Sequence, residues 1–221
     1  MYDSMGNTLY RGLLCDLDGT LVDSEPLHCT AWLATLAALG VERDAPWFEQ
    51  YVGTSDTILA RDTVALEGLD LAEEALIEQK QARYHRMVAQ GGKTFAGVEE
   101  ALDAVVKASI PLAIATNSGH QDAEAMIEAA RLRRFTAVHV TASDVERMKP
   151  APDIYLLAAQ RLGLRAEDCI AIEDSAPGGK AARAAGCYLI GLTDQVAGAD
   201  ERIDDQAAAI RRALELLTQD K

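Results

Sequence analysis

Leu13-Leu14-Cys15-Asp16-Leu17-Asp18-Gly19-Thr20 is the stretch that decides how this chain is read. An apolar run ends in two aspartates one residue apart, and a glycine and a threonine follow at once. On an extended chain the period of two puts the Asp16 and Asp18 side chains on one side and Leu17 on the other. Two crowded carboxylates need a cation or a shared proton, so this strand tip suits a metal and acid–base work. The plainer alternative is an Asp-Gly turn with solvated charges. The remaining sequence argues against it.

Working outward, five short apolar runs at 11–16, 111–116, 136–141, 168–173 and 187–192 alternate with alanine-rich stretches of helical period. Nearly continuous apolar strands at that spacing predict an α/β fold, a Rossmann-like parallel sheet covered by helices. Helices are expected over 98–107, 121–130, 152–162 and from Pro177 to Gly186, whose terminal residues suit a first turn and a C-terminal cap. Between Leu21 and Thr94 there is no strand candidate, only helical patterns over 26–39, 47–50, 55–66 and 72–90. That is too much chain for a crossover connection. It reads as an inserted α-helical cap of residues 25–91 over the Asp16–Asp18 tip, the core being residues 1–24 and 92–221.

The chain has 221 residues, is 49% hydrophobic and 25% charged, and so has room for one domain plus a small insert. No apolar run approaches the ~18 residues of a membrane span, and MYDSMGNTLY lacks a signal-peptide apolar region. A cytoplasmic location is expected. None of the four cysteines forms a metal-like CxxC pair, and Cys15 and Cys169 fall in expected buried strands. A net charge of −14 argues against nucleic acid and anionic membranes as partners. It does not exclude a small phosphorylated metabolite, because a divalent cation and one lysine can invert the local field. The oligomeric state is not set by the sequence, and a monomer is compatible with it.

In open parallel sheets, ligands bind beyond the C-terminal strand ends. The first strand delivers Asp16 and Asp18 there. The second ends in Thr116-Asn117-Ser118-Gly119 just before a helix, a place for hydroxyl and N–H groups to cradle an anion, although such residues also serve as ordinary N-caps. After the third comes Met148-Lys149-Pro150-Ala151-Pro152-Asp153, whose lysine could neutralise a transferring phosphoryl group. The fourth ends in Glu173-Asp174-Ser175, a second acidic tip, and the two tips form an oxygen-rich site suited to Mg²⁺. Together these are the parts of phosphoryl transfer through an aspartyl-phosphate: Asp16 attacks phosphorus, and Asp18 protonates the leaving alkoxide and then deprotonates water.

D-L-D-G-T, the Thr116 strand end, Lys149 in KPAPD and Glu173-Asp174 resemble the four motifs of the haloacid dehalogenase superfamily, in order and over nearly the whole chain. The 25–91 insert resembles its helical C1 cap, as in the β-phosphoglucomutase-like and phosphoglycolate phosphatase-like branch. The resemblance implies Mg²⁺ dependence, Asp16 as nucleophile, Asp18 as acid and base, Lys149 as charge stabiliser, and Thr116, Asn117 and Ser118 at the phosphate. It further implies a metal held by Asp16, the Asp18 backbone carbonyl and Asp174, with Glu173 assisting. Dehalogenases and phosphonatases lack an acid at the Asp18 position, so the resemblance is to enzymes of phosphate esters.

His28 stands twelve residues after Asp16, the offset at which β-phosphoglucomutases carry a histidine that helps activate the sugar; a packing role is the alternative. The loop Val52-Gly53-Thr54-Ser55-Asp56 resembles the specificity loop but offers no arginine where the mutases have one. The expected function is therefore a Mg²⁺-dependent phosphatase of a small phosphorylated metabolite. A β-phosphoglucomutase-like mutase is the alternative, and a non-catalytic binding protein of the same fold a third.

Overall fold

The computed structural model describes residues 10–52 and 54–219. Most of MYDSMGNTLY, and Gly53 of the expected specificity loop, lie outside the described residues. The described residues open with strand β1 (Gly12–Cys15) and run through helices α1 (Glu25–Ala38), α2 (Ala45–Glu49), α3 (Asp56–Glu67) and α4 (Glu73–Gly91). They continue with α5 (Val98–Lys107), β2 (Leu112–Ala115), α6 (His120–Ala129), β3 (His139–Val140), α7 (Asp153–Arg161) and β4 (Cys169–Glu173). They close with α8 (Ala176–Ala185), β5 (Tyr188–Gly191), β6 (Glu201–Arg202) and α9 (Gln206–Thr218). By internal contacts the chain divides after Asp23 and again after Gly92 into two compact units.

The first unit holds a six-stranded sheet of order β3-β2-β1-β4-β5-β6, parallel throughout. Its central strands are buried at every residue, which is why they read as unbroken apolar runs. Leu14, Ala113, Ala115, Ala171 and Leu189 pack on Ile154, Tyr155 and Ala158 of α7 and on Ala181 and Ala182 of α8. The small sheet residues leave room for the Tyr155 ring. Elsewhere in this unit α5 packs against α9.

The second unit, Ser24–Gly92, is helical throughout. Its core joins Trp32 and Leu36 of α1, Phe48 of α2, Leu59 and Ala60 of α3 and Leu76 of α4. Helix α3 is closed at both ends by local chemistry: the Ser55 hydroxyl accepts from the Ile58 N–H, and Gly68 ends it at φ +61°. Sequence reading missed β6 and α9. The two-residue strand β6 has a polar sequence, and only its ladder with Ile190 and Gly191 identifies it.

Candidate active site

The sheet winds outward through β2 and β3 on one side of β1 and through β4, β5 and β6 on the other, which makes the C-terminal ends of β1 and β4 the topological switch point. Both acidic tips emerge there. The Asp16 N–H still bonds the Ile172 carbonyl at 3.1 Å, so the nucleophile candidate is fixed by the end of the ladder. The chain then turns sharply: the Leu21 and Val22 N–H groups return to the Leu17 carbonyl, and the Gly19 N–H to that of Val22. Gly19 adopts φ +79°, and a Cβ there would fall on the Asp174 carboxylate, so only glycine lets the two tips approach.

Lys149 lies at the centre. Its Nζ donates to Asp16 Oδ1 at 2.6 Å, to Glu173 Oε1 at 2.6 Å and to the Ala115 carbonyl at 2.8 Å. An ammonium has three donors, and all three are taken by protein. In this arrangement the ammonium bonds directly to Asp16, the nucleophile candidate. Burial opposes the ammonium charge, yet Asp16 and Glu173 hold its pKa above the usual lysine value. Glu173 is fully buried and also accepts from the Tyr155 hydroxyl at 2.7 Å and the Ser175 hydroxyl at 3.1 Å. Sequence reading missed Tyr155. Its signal was a tyrosine on the buried stripe of α7, whose hydroxyl must find a partner.

Asp18 is held by hydroxyls, accepting from Ser118 Oγ at 2.6 Å and Thr116 Oγ1 at 3.4 Å. Thr116 Oγ1 also accepts the Ser118 N–H, which closes the turn ahead of α6. Asn117, expected at the phosphate, has its side chain engaged elsewhere. It accepts from the Lys149 N–H and donates to the Lys149 carbonyl, clamping the lysine backbone. Thus Asp16, Asp18, Thr116, Ser118, Lys149, Glu173 and Asp174 come together at the strand ends.

Oxygens of Asp16, Glu173 and Asp174 all lie within 4.8 Å of one another. Burial first, and then Glu173, pushes the Asp174 carboxyl up to about 7. Burial likewise lifts Asp16 well above the carboxylate range; Lys149 opposes this, while Glu173, Asp174 and Asp18 reinforce it. Carboxyl groups so placed without enough positive charge fit a hard, oxygen-seeking cation.

Gly178, in the first turn of α8, makes this packing possible. A Cβ there would fall inside the Glu173 carboxylate, which Lys149 and Tyr155 prevent from moving away. Gly178→Ala is expected to lower stability by about 1–3 kcal/mol as an overpacked site, and to reduce turnover by displacing Lys149. A melting temperature equal to wild type would contradict this packing.

The helical unit contains a polar cluster of its own. Lys80 of α4 is fully buried, with Nζ 2.7 Å from Asp56 Oδ2 and 2.8 Å from His28 Nδ1. Asp56 also accepts the Trp32 indole N–H at 2.9 Å, and the His28 ring stacks on Tyr84 with centroids 4.1 Å apart. The ammonium lies 4.9 Å from the Tyr84 ring centroid. Sequence reading singled out His28 and missed its link to Asp56.

The family model of the haloacid dehalogenase-like hydrolases matches residues 10–186. Fructose-1-phosphate phosphatase YqaB of Escherichia coli is 34% identical over 180 residues, covering 80% of this chain and 93% of the relative. Phosphoglycolate phosphatase of the same species is 30% identical over 205 residues, covering 83% and 81%. Among solved structures, CbbY from Rhodobacter sphaeroides in complex with xylulose-(1,5)bisphosphate superposes with a TM-score of 0.78 at 28% identity, covering 91% of this chain and 99% of that one.

Proposed function

The chain belongs to the haloacid dehalogenase-like hydrolases, and from that premise we propose that it is a phosphatase hydrolysing the monoester of a small, sugar-like phosphorylated metabolite. The observation that carries this reading is the division of labour between two aspartates: Asp16 is clamped by Lys149, and Asp18 is held by the Ser118 and Thr116 hydroxyls.

An Asp16 carboxylate oxygen attacks phosphorus. The ester P–O bond breaks with its electron pair on the alcohol oxygen, which takes the proton of Asp18. Water then gives a proton to the Asp18 carboxylate and attacks phosphorus; the bond to Asp16 breaks, and phosphate leaves. Thr116 and Ser118, next to the N-terminus of α6, cradle the phosphoryl oxygens. Asp16, Asp174 and the Asp18 carbonyl, with Glu173 assisting, would hold Mg²⁺, which would supply the positive charge that lets two anions approach. Because burial and Glu173 push the Asp174 carboxyl up to about 7, a cation that binds there would displace its proton. Mg²⁺ affinity is therefore expected to rise from about pH 6 to about pH 8 with proton release, as calorimetry in buffers of different ionisation enthalpy would register.

Hydrolysis is favoured over transfer between sugar hydroxyls by the helical unit. A bisphosphate intermediate needs a second anion site, and the buried Lys80 ammonium is already neutralised by Asp56. His28 is the helical unit's candidate for recognising the organic part of a substrate. The test is phosphate release from fructose 1-phosphate, phosphoglycolate, a pentose bisphosphate and p-nitrophenyl phosphate, with Mg²⁺ and with excess EDTA. Full activity in chelator, no release at all, or hexose phosphate isomerisation without net release would each refute part of the reading. For His28→Ala, kcat/KM should fall for the sugar phosphate and hold for p-nitrophenyl phosphate. An equal loss on both, with a lowered Tm, would leave His28 as packing for Tyr84.

A further inference from the structure

A second group of ligating side chains lies on the edge of the sheet, built by α6 and β3. His139 Nε2 is 2.6 Å from Glu124 Oε1. His120, one helical turn before Glu124, carries its ring to 6.4 Å from that of His139 with the planes 28° apart. One nitrogen of each imidazole and a Glu124 oxygen all lie within 4.8 Å of one another. We propose that His120, Glu124 and His139 bind a single transition-metal ion of the Zn²⁺ or Ni²⁺ class, separately from the all-carboxylate site.

The donor set decides the class of ion. Two imidazole nitrogens and one carboxylate suit Zn²⁺, Ni²⁺ or Cu²⁺, whereas Mg²⁺ prefers oxygen donors and retained waters. The frame is braced on both sides: the His120 N–H bonds Ser143 Oγ at 3.2 Å, and Arg161 donates to the His139 carbonyl at 2.6 Å. His120 is exposed and the other two are half-buried, so an ion has access and the rings need only a small side-chain adjustment to close around it. The resident competitor is Arg133, which pairs with Glu124 and also reaches Glu128 Oε2 at 3.4 Å. Glu128 offers this guanidinium another partner when an ion takes Glu124. Occupancy would tie the start of α6, which follows the Thr116–Ser118 turn, to β3.

The test is titration of the purified protein with Zn²⁺ against a chromophoric chelator in saturating Mg²⁺. One ion per chain is expected. Affinity should fall by more than about tenfold in His120→Ala and in His139→Ala, the scale on which a metal environment responds to losing a side chain. Cys29→Ser, which removes the half-exposed thiol, and Asp16→Asn should leave it unchanged. Arg133→Ala should strengthen it by freeing Glu124. His120 is exposed, so its removal decides the matter even if His139→Ala folds poorly, and unchanged p-nitrophenyl phosphate turnover of His120→Ala without Zn²⁺ certifies its fold. Absence of saturable Zn²⁺ binding, binding that survives both histidine variants, or binding lost with Cys29→Ser or Asp16→Asn would overturn the proposal.

Discussion

Asp16→Asn abolishes turnover and at the same time raises the melting temperature of the metal-free protein. The first effect is chemical: an amide oxygen is a poor nucleophile toward phosphorus, and removing a nucleophile typically costs on the order of 10⁴-fold or more. The second follows from the site's electrostatics. Burial is the main cause lifting Asp16 well above the carboxylate range; Lys149 opposes it, and Glu173, Asp174 and Asp18 add to it. A carboxyl whose folded-state pKa is raised contributes stability that is fully present below its unfolded pKa of about 3.9 and lost as pH rises through the folded value. At alkaline pH Asp16 is therefore a net cost to the metal-free fold, because the unfolded chain ionises it more readily. Asparagine keeps an oxygen for Lys149 to bond, without the charge. In EDTA the variant should melt above wild type at alkaline pH, the gap should close as pH falls, and Mg²⁺ should narrow it by stabilising wild type more. A variant that melts lower than wild type at alkaline pH would mean that the Lys149 pair outweighs burial and like-charge repulsion, and this account of the site would fail. Turnover within tenfold of wild type, on a sample free of other phosphatases, would remove Asp16 as nucleophile.

The frame of this site was legible in the sequence because its strands are buried on both faces and its acidic residues sit at their ends. Leu13-Leu14-Cys15 and Cys169-Ile170-Ala171-Ile172 could hardly be anything but central parallel strands, and the carboxylates follow directly. Side-chain partners were less legible, since they depend on contacts far apart in sequence. Nothing local says that the three donors of Lys149 go to Asp16, Glu173 and the Ala115 carbonyl, or that Asn117 clamps the lysine backbone. Tyr155 looked like core and proves to be both core and hydrogen-bond donor to Glu173. His28, Asp56 and Lys80 come from three helices, and nothing in the sequence signals that His28 and Lys80, 52 positions apart, meet. Strand β6 escaped notice because Glu201 and Arg202 have no apolar alternation, their pairing being set by the neighbouring strand.

Lys149→Met should be the most damaging substitution for stability, and its pH dependence separates the possible reasons. The lysine and both its carboxylate partners are nearly inaccessible to solvent. Removing one member of a buried ion pair leaves the other uncompensated and costs about 3–5 kcal/mol. Here two carboxylates are stranded, and they can escape the cost by binding protons. Stability of the variant should therefore be near wild type in acid and fall further below it as pH rises, the sign expected when a cation is withdrawn from carboxyl groups. Turnover should drop by about 10²–10³-fold, the scale for losing one charged donor at a reacting centre. Because the ammonium bonds directly to Asp16, the loss should take a particular form: the acid limb of kcat/KM moves to higher pH, since Asp16 keeps its proton longer without the ammonium. Lys149→Arg restores the charge, but a planar guanidinium does not fit the slot between Asp16, Glu173 and the Ala115 carbonyl, so it should recover part of the stability and little of the rate. A purely structural lysine predicts an unshifted acid limb, with kcat/KM reduced by one factor across the pH range. That result would move the charge-stabilising role away from Lys149 and leave a bound cation alone to hold Asp16 ionised against its carboxylate neighbours.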